Sequence, residues 1–281
     1  MRAQTGAAAT WRRCLWKWSK ATGRRREQAM LNLLRAETLK SKRTFARKLA
    51  CGAPLFFVLY AIVVKMLMPD QSIGGWDALL FMVFNWWPVL FVPVGTALLC
   101  GLTEAREKKS GAERSLRALP VSPRRLWLAK TAVLAGHTLI STGVLVVSVL
   151  IAGLLIADGP IPFADIAMAS AVIWLLSAAL IPLHLLVAAW KGQAVSLLLG
   201  LAGMFAGVLA AQQPYWLLVP WSWPTRLMAP LVGVHPNGVP LPAGDPLLSG
   251  AVIPAGFATA ITFLAITLFL TVLWYGRREV R

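Results

Sequence analysis

The sequence predicts an all-α polytopic membrane protein with six spanning helices and both termini on one side. Three observations carry that reading. Of 281 residues, 58% are hydrophobic and 14% charged, far from the balance of an ordinary soluble domain. The apolar residues gather in six runs, near 48–68, 78–102, 129–156, 166–190, 193–219 and 250–275. Each reaches the ~20 residues that a helix needs to cross a ~30 Å hydrocarbon layer. Finally, 26 of the 28 Lys and Arg residues fall on one alternating set of connections, with only Lys65 and Arg226 elsewhere. Connections that retain Lys and Arg are the inner ones, so both termini and the loop at 103–128 are expected inside. The acids sort as well: the six Glu fall inside and the five Asp (70, 77, 158, 165 and 245) outside.

The net charge of +17 suggests a nucleic-acid binder until it is divided by side. Basic residues bordering spans set orientation and touch anionic headgroups, and no soluble basic module remains, so no nucleic-acid partner is expected. Cys14, Cys51 and Cys100 all fall off the outer face, which argues against an extracytoplasmic disulfide.

Residues 1–29 are basic, lack an apolar signal-peptide core and divide from the rest at Met30. Met30 reads as a start, or else the stretch is a surface extension with Trp11, Trp16 and Trp18 at the headgroups. Residues 30–48 read as an interfacial amphipathic helix. Leu31, Leu34, Thr38, Phe45 and Leu49 share one arc; Arg35, Lys40, Lys42, Arg43 and Arg47 share another. Glu37 sits beside the apolar arc, as an ion-pair partner for Lys40 or Arg35 or as a contact to another part of the protein. The six-span region is expected to occupy 49–281.

Lys65, ending the first run, has a stem long enough to snorkel to the outer interface. Pro88 and Pro93 in the second run remove backbone donors and predict a kink unless neighbours compensate. Ser122 followed by Pro123 is an N-cap with proline at the first helical position. A continuous helix from Pro123 to Ile156 is about 50 Å long at 1.5 Å per residue, so part of it must protrude or tilt. Gly200, Gly203 and Gly207 in the fifth run allow close helix approach, most simply as a packing face. Residues 212–249, rich in Pro, Trp and Gly, cannot form one spanning helix. They read as interfacial or re-entrant pieces anchored by Trp216, Trp221 and Trp223, a candidate substrate-facing outer segment.

Chemistry is sparse. No GxxxxGK[ST] phosphate cradle and no HExxH or paired His/Cys set occurs in the sequence, so ATP hydrolysis by that route and a metal site of that type are excluded. His137 and His184 lie in predicted spans, where an ionisable group is a functional candidate by default, but a neutral hydrogen-bonded histidine is the simpler reading; His235 stands apart. Otherwise the spans are nearly free of charge. That disfavours an ion relay or a membrane-embedded enzyme and suits a large or amphipathic cargo. The loop TEAREKKSGAERSLRALPVSPRRLWLAK (103–130) sets Ala105, Ala112, Ser115, Leu116 and Leu119 against Glu104, Lys108, Glu113 and Arg117 at helical spacing. Pro120 closes this short helix and Ser122 opens the next. A short amphipathic helix held between two spans suits docking into a groove of a soluble partner.

This loop resembles the signature of type-2 ABC exporter permeases, carried here by Glu107, Lys108, Gly111, Leu116, Leu119, Pro120, Val121, Ser122, Arg124, Arg125 and Lys130. LLRAETLKSKRTFARKL (33–49) and NWWPVLFVPVGTAL (85–98) resemble the subgroup of permeases that protect producers from their own lantibiotics. The resemblance implies a multi-pass subunit of a bacterial cytoplasmic membrane that exports or expels a lantibiotic peptide, giving producer self-immunity. It implies a separate cytoplasmic ABC ATPase, acting as a dimer and holding ATP and Mg²⁺, and a second homologous permease subunit. This chain itself is then expected to bind no cofactor. Glu104, Glu107, Lys108, Gly111, Glu113, Leu116, Leu119, Pro120 and Ser122 become the expected ATPase-coupling residues, and Glu37, Lys40 and Arg43 those of the interfacial helix. An exporter of another drug, lipid or polymer, and a non-transporting sensor subunit, are the alternatives.

Overall fold

The computed structural model describes residues 28–42, 44–67, 75–110 and 122–277. Within them six helices are long and apolar enough to cross a membrane: α2 (Phe45–Leu67), α3 (Gly75–Ser110), α4 (Pro123–Ile156), α5 (Phe163–Lys191), α6 (Gln193–Ala210) and α8 (Val252–Arg277). Two shorter helices complete the set, α1 over 28–41 and α7 (Ser222–Val232). No strand occurs among the described residues. The expected six-span, all-α architecture is what the chain adopts.

Its boundaries differ from the sequence expectation in three places, each with a local cause. The helix expected over 30–48 ends at residue 41, and α2 starts at Phe45. Side chains divert the backbone there: Ser41 Oγ donates to Thr38 O at 2.7 Å and Thr44 Oγ1 to Ser41 O at 2.7 Å. Ser and Thr bonding of this kind competes with the helical ladder. Next, α3 does not stop near 102 but runs on to Ser110, so the first turns of the expected loop are helix. The two prolines do not break it either. Residues Trp87–Gly95 wind as a π-helix in which Trp87, Pro88, Phe91, Val92 and Pro93 are buried while Leu90 is exposed. The wider i→i+5 turn changes which carbonyls face the proline rings, whose clash and missing donor would break an α-helical ladder. Third, the fifth span ends at Ala210 rather than near 219, just ahead of Pro214, which disfavours helix at the residue before it.

α3 and α5 form the centre of the bundle, while α2, α6 and α8 bury much less of their length. One apolar core gathers Trp87, Phe84, Leu145, Ile173, Leu176 and Trp223 through the middle and one end. A second, smaller core gathers Leu99, Trp127, Leu134, Leu185 and Tyr275 at the end that carries the Lys and Arg residues; this end is called the basic end below. α7 lies buried against the spans at the opposite end. Its Arg226 donates to Leu247 O at 2.9 Å, while Asp245 accepts from Leu247 N at 2.8 Å. At that end Lys65 Nζ donates to Ile156 O at 2.8 Å: the expected snorkelling ammonium is spent on the last turn of α4, where orphan carbonyls attract a cation.

Small residues set the closest approaches. A Cβ at Gly200 would stand 2.8 Å from Pro93 O, and one at Gly207 would stand 2.5 Å from Trp221 O, so the glycine face of α6 is a packing face inside this chain. Between α5 and α6 the chain reverses at one residue, Gly192, with φ +98°, a backbone state that side chains disfavour. His184 is fully buried; its Nε2 accepts from Trp221 Nε1 at 3.3 Å, as a neutral hydrogen-bonded histidine would.

Candidate functional site

Charged residues of α1 and of the last turns of α3 meet at the basic end. α1 supplies Glu37 and Lys40. α3 supplies Glu104 and Glu107, one helical turn apart and on one face. α4 supplies Lys130, seven residues after its first. Lys130 Nζ lies 2.9 Å from Glu104 Oε1 and also pairs with Glu107 Oε2. Lys40 Nζ pairs with Glu37 and reaches Glu107 Oε1 at 3.3 Å. Glu107 therefore bridges two lysines from two other helices. Arg106 Nη1 donates to Lys40 O at 2.6 Å, tying α1 to α3 again through the backbone.

Burial makes this cluster costly to break. The Lys130 side chain is 1% exposed and those of Glu104 and Glu107 are 5% and 4%. Removing one partner of such a pair leaves an uncompensated charge, at about 3–5 kcal/mol. Aromatic rings seal the lysine from below: Tyr275 lies 5.4 Å from Nζ, and Trp127, tilted against Tyr275 at 4.6 Å, donates from Nε1 to Thr271 Oγ1 at 3.0 Å. α8 is thus drawn to the same junction. Lys40 is the exposed member, at 28%. Glu37 lies outside the spans, and burial raises its carboxyl above the usual range, the Lys40 contact opposing the shift.

Several expected site residues take places that the sequence did not foretell. Glu104 and Glu107 do not sit on an exposed coupling surface; they point into the ion cluster, since α3 stays helical there and turns that face toward α4. Lys108 Nζ donates to Ala189 O at 3.0 Å, closing the end of α5. Ser122 does occupy the cap position ahead of Pro123, with extended backbone, but its side chain makes no capping hydrogen bond; its carbonyl accepts from Leu126 N at 3.1 Å. Gly111, Glu113, Leu116, Leu119, Pro120 and Arg43 lie outside the described residues.

The three tryptophans of 212–249 do not line an outer surface. Trp216 and Trp223 are buried and Trp221 is half-buried. Their indole groups find partners within the protein: Trp223 Nε1 donates to Leu217 O at 3.0 Å and Trp221 Nε1 to His184. Trp221 also fills the slot left by Gly203. Buried indoles need such partners, which the composition of the segment alone does not reveal. Tyr215, Leu218 and Val239 are exposed there instead.

Lys130 is the member whose role was least legible. A lysine inside LWLAKTAVL is a signal in itself, because an ionisable group in so apolar a stretch requires a partner. The acids that answer it are 23 and 26 residues upstream, and only the antiparallel return of α4 along α3 brings them together. Among the described residues no group of His, Cys, Asp and Glu is arranged to hold a metal ion.

No curated protein and no solved structure matches the chain. The family model described as ABC-2 family transporter protein matches residues 33–207, well over half of the sequence, from α1 through the glycine face of α6. With six helices able to cross a bilayer and this match across five of them, the chain belongs to the ABC-2 transporter family, whose members form the transmembrane part of a transporter.

Proposed function

We propose that this permease expels a lantibiotic from the membrane, driven by a separate ABC ATPase dimer that engages the loop at 103–122 from the cytosol. In this reading both termini are cytosolic and a second homologous permease completes the pore. The observation that carries it is the junction at the root of that loop. α3 enters the loop and α4 leaves it, and Lys130 joins the two through Glu104 and Glu107. A force applied to 111–121 then reaches both helices together, and reaches α1 through Lys40. An apolar face at Leu116 and Leu119, oriented by Glu113, suits a groove on the ATPase. Cargo follows from charge: spans almost without free ionic groups favour an amphipathic peptide over an ion.

Two experiments test this. Single cysteines at Asp77, Asp158 and Asp245 in a Cys-free background should react with an impermeant maleimide in intact cells, and one at Ser110 should not; labelling at Ser110 reverses the orientation. Expressed with its ATPase and second permease in a sensitive host, the chain should raise tolerance to the cognate lantibiotic. Unchanged tolerance with confirmed assembly favours the other reading, an exporter of another drug, lipid or polymer, which the same scarcity of free ionic groups in the spans supports.

A further inference from the structure

α2 leans on α4 and on the far half of α3, and so leaves a groove between itself and the basic-end half of α3. Two cavities follow one another along that groove. The first, of ≈ 290 Å³, lies at the basic end and is lined by Ser41, Thr44, Thr103, Arg106 and His137 with apolar residues such as Leu99 and Leu134 beneath them. The second, of ≈ 390 Å³, continues toward mid-bundle and is apolar, with Gly52, Phe56, Leu90, Phe91 and Leu98 along its walls. The lining residues of α2, from Phe45 through Leu49 and Gly52 to Phe56, recur at three- and four-residue steps, so they form one stripe. From Phe45 to Phe56 that stripe is about 17 Å long at 1.5 Å per residue, close to the ~15 Å depth of one leaflet's hydrocarbon.

We propose that this groove holds an anionic phospholipid of the leaflet at the basic end, its phosphate in the first cavity and an acyl chain in the second. The charge at the head end is positive. Arg106 lines it, Arg47 and Arg106 both bear electrostatically on the His137 ring, and no carboxylate is among the lining residues described. Arg106 commits Nη1 to Lys40 O, but a guanidinium carries five N–H donors, so a further edge meets a phosphate oxygen. The hydroxyls of Thr44 and Thr103 are already donated to backbone carbonyls, at 2.7 and 2.9 Å, and add polarity rather than charge. His137 bonds Val133 O through Nδ1 at 2.8 Å. Its Nε2 therefore remains to accept a hydrogen bond from a headgroup hydroxyl, which glycerol supplies and choline does not. A cationic peptide is disfavoured at this cavity by the same charges, so the groove is distinct from any path for the cargo. The tail end opens sideways: Gly52 and Phe56 are exposed, letting a lipid enter from the bilayer.

The assignment needs only that the helices cross a bilayer, and it stands or falls apart from the lantibiotic reading. The full chain, reconstituted in phosphatidylcholine nanodiscs with about one fifth phosphatidylglycerol, is released into detergent and its retained lipids counted by native mass spectrometry. Phosphatidylglycerol is expected at least tenfold above its bulk ratio, a discrimination equivalent to about 1.4 kcal/mol. Arg106→Gln should return the ratio to bulk. Gly52→Phe should displace the lipid without disturbing the fold, because a Cβ at Gly52 meets nothing within 4 Å; Gly143→Phe, at an equally open glycine on α4, should leave retention unchanged. Inorganic phosphate at about 10 mM, where the Debye length of about 30 Å leaves charges little screened, should not compete. A bulk ratio in the wild-type chain, enrichment that survives both Arg106→Gln and Gly52→Phe, or displacement by phosphate would overturn the proposal.

Discussion

Replacing Lys130 by Met removes the positive charge at the centre of the ion cluster while keeping most of the side-chain volume. Glu107 keeps Lys40 within 3.3 Å, but Glu104 loses the ammonium that stood 2.9 Å away. Both carboxylates are at least 95% buried, so water cannot make good the loss, and breaking a buried pair from one side costs about 3–5 kcal/mol. For a chain of this size each kcal/mol moves the thermal midpoint by roughly 2–4 °C, so Lys130→Met should melt on the order of 10 °C lower in detergent or nanodiscs. Lys40→Met supplies the contrast. Lys40 is 28% exposed, Glu107 keeps Lys130, and burial already favours the protonated form of Glu37, so removing Lys40 should cost less than removing Lys130. The double variant Lys130→Met with Glu104→Gln should recover part of the lost stability, because it removes one of the two buried negative charges gathered around the lost ammonium. Equal effects of Lys130→Met and Lys40→Met, or no recovery on adding Glu104→Gln, would refute the claim that burial of this charge is what makes the junction strong.

Leu116→Asp should abolish capture of the ATPase subunit and protection against the cargo, with normal membrane level, since a charge buried in a docking groove costs several kcal/mol; retained capture reduces the loop to a connector. Gly207→Ala should destabilise the chain by about 1–3 kcal/mol, because its Cβ would meet Trp221 O at 2.5 Å, whereas Gly143→Ala, with open space around it, should be neutral or stabilising by up to about 1 kcal/mol; equal melting of the two variants would contradict the packing described for α6. The raised carboxyl of Glu37 means that the folded state holds that proton more tightly than the unfolded chain, so its contribution is full below the ordinary glutamate value and is lost as pH rises through the raised one. The melting temperature of Glu37→Gln relative to wild type should therefore climb with pH across that window; a flat difference would show that Glu37 titrates normally.

What could be read without coordinates was whatever depends on one dimension. Six apolar runs and the alternation of Lys and Arg determine how many spans exist, because a bilayer constrains length and charge along the chain and little else. Ser122-Pro123 marks the start of α4 for a similar reason, since proline's missing N–H matters only to its own helix. The reading failed where a residue's environment is set by a neighbour far along the chain. Glu104 and Glu107 read as charged residues of a short coupling helix, and their burial is visible only once α4 returns beside them with Lys130. Trp223 looks like an interfacial anchor until Leu217 O is seen to satisfy its indole. The length of α3 belongs with these: its two prolines argue for a kink on local grounds, and only packing by Phe57 and its stacked neighbour Phe91 around Trp87 shows why the helix runs through as a π-turn instead.

That π-helical stretch and the ion cluster divide α3 into parts with different attachments. Beyond Thr96 the helix is held at the basic end by Lys130, Lys40 and the Arg106 contact to α1. Ahead of Trp87 it is held at the opposite end by Trp76, whose ring fills the space over Gly153 so closely that a Cβ there would lie 2.1 Å away. Between the two, Pro88 and Pro93 each lack a backbone donor, so the ladder is thinnest over Trp87–Gly95. A rotation imposed on the basic end through the loop meets a stiff junction first and this weaker stretch next. Sharp bends in helices concentrate at prolines and π-bulges, and the two coincide in Trp87–Gly95, so a change of angle between the two halves of α3 is expected there first. On the proposed reading, such a helix would pass displacement onward from the basic end while each end keeps its own packing.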